Sequence, residues 1–188
     1  MTMIAKGAFE DRTREYCIPP NLTAWMSKEH LARVVWKLAR TVDTGEIEPI
    51  VSLPEGKVFK PEMMLSVVVY SYAAGVLGSC NVEQSIQHDE NIRHLCAGLY
   101  PDCNSVCEFR EKNHTIIQRC LELVYLIGWK VRFGNWRWHR SKPNSGADCD
   151  RAVQIDPSLR SQISFEAGER LRRAERLDKH SLGEQIVA

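Results

Sequence analysis

Apolar residues recur along this chain at the three- and four-residue spacing of helices, and residues that start and stop helices fall between the runs. Leu31, Val34, Val35, Leu38 and Val42 share one face behind Ser27, a side chain suited to capping a first turn, and this run closes at Gly45. Pro49, Pro54 and Gly56 interrupt the next stretch. Pro61 then suits the first position of a helix carrying Met64, Val67, Val68 and Tyr70 toward Gly78. Ser79 or Asn81 caps a short helix reaching His88, Asp89 leads into another over Asn91 to Ala97, and Gly98 takes the stop position. Ser105-Val106-Cys107-Glu108 reads as a capping box. Behind it Val106, Phe109, Ile116, Ile117, Cys120, Leu121 and Val124 hold the helical period to Gly128, a helix of about six turns. From about Ser164 the positions Ala167, Leu171, Ala174 and Leu177 make a thin apolar stripe on a densely charged helix, which needs a partner surface to be stable.

These runs predict an all-α fold, since no strand pattern occurs before Gly128. The expected architecture is a compact multi-helix domain with a helix-turn-helix-like part, then an irregular basic segment, then a charged C-terminal helix. The corresponding divisions are an irregular arm over 1–24, a helical domain over 25–128, and a remainder over 129–188. Met63 to Val82 contains no charged residue, enough in length for a membrane span. Ser66, Tyr70, Ser71 and Tyr72 dilute it and Gly78-Ser79-Cys80-Asn81 breaks it, so a buried helix at the centre of a water-soluble domain is expected.

Charge sharpens the division at Gly128. Residues 1–128 carry 13 basic and 16 acidic side chains, net −3, while residues 129–188 carry 12 and 8, net +4. The whole chain of 188 residues stands at +1, which names no class of partner. The local excess is concentrated between Lys130 and Lys142, where five cations and three aromatics occur without an acid. That mixture can neutralise phosphates and stack on bases, or it can be a strand whose tryptophans belong in a core.

Seven cysteines without paired CxxC spacing predict free thiols in a reducing, cytoplasmic setting, with no targeting segment at the start. Cys96, Cys103 and Cys107 with His88 or His94 could be assembled on paper into a zinc site, but the spacing fits no familiar knuckle, and no metal is expected. No strand-turn-helix context supports a cysteine nucleophile either.

Several motifs then fall in one order: Pro19-Pro20-Asn21-Leu22, Trp25, Glu29-His30-Leu31-Ala32-Arg33, Lys60-Pro61-Glu62-Met63-Met64-Leu65, Tyr70, Gly75, Leu99-Tyr100-Pro101-Asp102-Cys103-Asn104-Ser105 and Phe109-Arg110. Over residues 14–128 the chain resembles the N-terminal domain of bacterial insertion-element DDE transposases. The resemblance implies a helical domain that binds the terminal inverted repeats of the element, followed by a ribonuclease-H-like core. In such cores three carboxylates hold two magnesium ions for strand cleavage and transfer. The first carboxylate belongs on a strand that Trp136-Arg137-Trp138-His139-Arg140-Ser141-Lys142 would supply, and here His139 stands in its place, with Arg140 where the family has Gly. An imidazole does not bridge two hard cations, and Asp148 and Asp150 lie too far along to substitute. The expectation is therefore a truncated transposase with no catalytic residues and no cofactor of its own.

The expected DNA-reading residues are Asn104, Ser105, Arg110, Lys112 and Asn113 in the first turns of the Ser105 helix, with Lys130, Arg132, Arg137, Arg140 and Lys142 in the basic segment. Glu108 and Glu111 in the same helix oppose phosphate contact. The expected partner is double-stranded DNA carrying the repeats, with a second copy or a full-length transposase also possible. A protein-interaction module that dimerises, or binds intact transposase without touching DNA, is the alternative that the acidic balance of residues 1–128 supports.

Overall fold

The computed structural model describes residues 18–50, 58–133 and 156–187, with side chains described through position 180 in the last stretch. Among these residues there are seven α-helices and no strand. Helix α1 spans Lys28–Ala39, α2 Pro61–Ala73, α3 Ser79–His88, α4 Glu90–Cys96, α5 Cys103–Lys112, α6 His114–Phe133 and α7 Pro157–Val187. No helix among the described residues is long and apolar enough to cross a membrane.

The uncharged stretch becomes the central rod. Every residue of α2 from Met63 to Ala73 is buried, because α1, α4, α5 and α6 pack around it and leave no solvent face. Pro61 opens the helix as its spacing predicts, and the chain leaves it through Gly75, whose φ of 84° is one that side chains resist. A Cβ at Gly75 would lie 2.9 Å from the carbonyl oxygen of Pro20. The motif-bearing segment before α1 and the end of α2 therefore meet at a glycine.

Helix α1 begins as read, with Ser27 Oγ accepting from the His30 N–H at 3.3 Å, but it stops at Ala39 rather than at Gly45. Asp89 caps α4, which ends in left-handed Ala97 followed by Gly98 at φ 84°. The predicted capping box is displaced. Asp102 is the cap of α5 and accepts from the Ser105 N–H at 2.9 Å, so Ser105 lies inside the first turn, while Glu108 pairs with Lys112 at 2.7 Å.

The single six-turn helix of the sequence reading is two helices. Asn113 breaks it: its side chain accepts from the Glu48 N–H at 2.8 Å and donates to the Glu48 carbonyl at 3.0 Å, imitating a backbone pair with the connector between α1 and α2. Helix α6 then runs through Gly128 without stopping. Gly128 serves a close approach there, since a Cβ would meet Leu22 Cδ2 at 2.5 Å where a short 3-10 turn, Leu22–Ala24, nests against the helix. Trp25 meets Phe133 edge-on at 5.6 Å on the same side.

Helix α7 finds its partner surface within the chain. Leu159, Ile163, Ala167, Leu171 and Ala174 are all buried, mainly against α6. Two buried polar side chains anchor it further. The Arg170 guanidinium donates to the carbonyls of Pro20 and Tyr72, both at 2.7 Å, and of Pro19 at 2.5 Å, and lies over the Tyr125 ring at 5.0 Å. Asp178 accepts from the Ser79 N–H at 2.6 Å and Ser79 Oγ at 2.7 Å, and pairs with Arg110 of α5. Helix α3 has Gly78 at its cap position and so no cap of its own; Asp178, 99 residues away, supplies one.

The expectation of free thiols is corrected at two positions. Cys80 at the start of α3 and Cys103 at the start of α5 form a disulfide, joining the same two helices that Asp178 ties by hydrogen bonding. Cys96 and Cys120 are free, and burial pushes their thiols up to about 12 and about 11, which holds them protonated. No metal-ligating cluster occurs among the described residues; the sulfur of Cys103, one of the ligands considered, is taken by the disulfide.

Candidate nucleic-acid interface

The residues expected to read DNA are scattered. Ser105, Arg110 and Asn113 are buried, and each works inside the fold: Ser105 in the first turn of α5, Arg110 on Asp178, Asn113 on Glu48. A face of α5 does reach solvent, but it offers Asn104 and Lys112 beside the acids Glu108 and Glu111, with Lys112 engaged by Glu108. Lys130 and Arg132 lie at the far end of α6, about 25 Å of helix away from α5. Arg132 is exposed and lies over the Phe133 ring at 5.5 Å. Arg137, Arg140 and Lys142, with His139, lie outside the described residues. Val106 and Phe109 mark the inward face of α5, and Arg110, four residues after Val106, falls on that same face and not on the solvent one.

The structure assembles a different cationic surface, on α1. With Leu31, Ala32, Val34 and Val35 turned into the core, Arg33, Trp36, Lys37 and Arg40 fall within about 100° of the helix circumference, all exposed. Trp36 keeps 46% of its surface in solvent, and Arg40 covers its ring at 4.6 Å. A wheel drawn on the α1 sequence would have shown this group, because its apolar stripe is clear and the remaining positions read cation, tryptophan, cation, cation. The denser run of cations, between Lys130 and Lys142, lies elsewhere in the sequence.

Helix α4 lies alongside and makes the second wall of a cleft of about 370 Å³. Ala32 of α1 and Leu95 of α4, both buried, form its floor, Arg33 and Trp36 one side, Asn91 and His94 the other, and Glu29 one end. Asp89 fixes the two helices against each other. Its carboxylate accepts from Lys28 Nζ of α1 at 2.9 Å, from the Asn91 N–H of α4 at 2.9 Å and from the Tyr70 hydroxyl of α2 at 3.3 Å. Burial raises the Asp89 carboxyl, but the Lys28 and Asn91 donors outweigh it and hold its pKa below the usual aspartate value. Tyr70 moves the other way, raised by burial and then by the neighbouring carboxylate. The cleft is thus built on helices whose spacing is set by a shared charged hydrogen-bond centre.

On α7 several cations pair with acids of the same helix, as with Arg172 and Arg176 on Glu169 or Lys179 on Glu175. Glu29 lies on α1 as well, and its pKa is lowered by hydrogen bonds from the first turn and from Ser27 and, to a lesser degree, by the charge of Arg33. What this surface offers chemically is positive charge, ring stacking on an exposed indole, and donors and acceptors along a cleft. Comparison of the chain with protein-family models, with curated proteins and with solved structures found no match.

Proposed function

We propose that this chain binds double-stranded DNA sequence-specifically, at the terminal inverted repeats of an insertion element, as part of DNA transposition and without catalysing strand transfer by itself. The observation that carries the reading is the outer face of α1, where the exposed cations Arg33, Lys37 and Arg40 lie on one side of the helix. Helices present such faces to phosphates and groove edges, and affinity then follows the number of phosphates neutralised. The ordered motifs that resemble transposase N-terminal domains support the choice of inverted repeats as the target.

Fluorescence-anisotropy titration of the full chain against labelled repeats and a scrambled duplex, at two salt concentrations, tests it. The expected result is about hundredfold preference for the repeats, or about 2.7 kcal/mol, with affinity falling as salt rises. Charge reversal of Arg33 and Arg40 to Glu should abolish binding to both duplexes. Absence of binding at low salt would overturn the reading and favour the interaction module. That alternative cannot use the inner stripe of α7, which is buried against the chain's own core, and would have to use outward residues such as Phe165 and Leu123.

A further inference from the structure

We propose that the cleft between α1 and α4 takes an unpaired nucleobase, stacked against Trp36, from a strand whose phosphates lie over Arg33, Lys37 and Arg40. The inference rests on the DNA-binding reading and names the part of the nucleic acid that this surface holds.

The indole is the reason. Phosphate recognition needs cations and donors, not a tryptophan, and the bases of an intact duplex are already stacked on their neighbours, so their faces are closed to a side chain. An unpaired base presents an open face, and aromatic side chains beside a cationic track are what single-strand binders use to hold it. Trp36 has the orientation for that role: Arg40 lies over its ring, which fixes a flat side chain that would otherwise swing in solvent.

The cleft beside it fits a single ring. Its volume of about 370 Å³ is at the small end of ligand sites, and its floor of Ala32 and Leu95 is apolar, as the flat face of a base requires. Its edge is polar. Arg33 donates and His94 adds a ring nitrogen, while the Asn91 amide, which donates to Asp89 at 3.3 Å, completes the polar rim that a base edge meets. Glu29 gives the site direction: an acceptor at the end of the cleft suits an exocyclic amine, as on cytosine, and it repels phosphate toward the Lys37–Arg40 end of the helix. Asp89 holds α1 and α4 at a fixed spacing, so the slot does not have to be organised when the base arrives.

The test compares a blunt duplex with the same duplex carrying a single-stranded deoxycytidine overhang, titrated by anisotropy against the full chain. The expected result is about tenfold tighter binding to the overhang. Trp36→Ala should erase that preference and leave blunt-duplex affinity within about twofold, Trp36→Phe should keep part of it, and Arg33→Ala with Arg40→Ala should weaken both probes. Because Trp36 is exposed, circular dichroism of Trp36→Ala should match the parent, which separates lost stacking from lost folding. Equal affinity for the two probes, with salt-sensitive duplex binding retained, would overturn the base site and leave the DNA reading standing. A preference for the overhang that survives in Trp36→Ala would overturn it too. No binding of either probe at low salt would remove both readings together.

Discussion

Arg110 and Arg170 are withdrawn into the molecule, while Arg33 and Arg40 stand on its outside, and the same side chain does opposite work in the two places. The inward pair is held by the fold itself: Arg110 by the Asp178 carboxylate, Arg170 through its two terminal nitrogens by three backbone carbonyls and by a tyrosine face, with Glu166 at 3.6 Å from its Nε. Of the outward pair, Arg40 lies over an indole, and both side chains are exposed to solvent and so to a ligand. A guanidinium's role is decided by what the fold puts in front of it, since burying an unmatched charge is prohibitive and burying a matched one is merely costly.

The largest effect should come from breaking the inward set. Asp178→Ala leaves Arg110 buried without its carboxylate and α3 without its cap, and should cost about 3–5 kcal/mol in urea denaturation. Replacing both partners, Arg110→Met with Asp178→Leu, should recover much of that loss, because the uncompensated charge is gone. An Asp178→Ala protein of parental stability would show that α7 does not dock as described.

Next is the covalent tie between the same helices. Reduction of Cys80–Cys103, closing a loop of 23 residues, should lower stability by about 3 kcal/mol. Thiol titration under denaturing conditions, before and after a dithiol, should show two additional reactive sulfurs after reduction. Gly75→Ala follows, at about 1–3 kcal/mol, because the backbone there is left-handed and the new methyl would press on the Pro20 carbonyl; a thermal melt reads it directly.

A smaller effect is expected at Asp89, the centre that spaces α1 and α4. Its pKa is lower folded than unfolded, so its contribution is complete above the ordinary aspartate range near ~3.9 and is lost as pH falls through the folded value. Stability measured from neutral pH into the acid range should therefore decline less steeply in Asp89→Asn than in the parent. Smallest of all for stability are Arg33→Ala and Arg40→Ala, expected within about 0.5 kcal/mol of the parent because both side chains are exposed. If either costs as much as Asp178→Ala, the contrast between inward and outward arginines fails.

Much of the helical order was legible beforehand. Ser27, Pro61 and Asp89 mark starts that local chemistry enforces, and the uninterrupted apolar run of α2 could only be central. The errors share a cause. Asn113 looks like an ordinary helix position until Glu48, 65 residues away in sequence, offers a backbone N–H and carbonyl to its amide. Ser105 with Glu108 satisfies the pattern of a capping box, yet Asp102 three residues earlier reaches the same donor first. The candidate site shows the same limit in reverse: the cations of α1 were in plain sight, but nothing local says that α4 will lie beside them and close a cleft.

By itself, then, the sequence determined the all-helical character, the central helix, the starts of α1, α2 and α4 and the charged terminal helix, because each depends on neighbours within a turn or two. Tertiary structure alone decided that α7 folds back onto the domain, that Asp178 caps a helix whose own cap residue is glycine and meets Arg110, and that Cys80 meets Cys103. Those outcomes depend on groups brought together from tens of residues apart, and a buried charge can be placed only once its partner is.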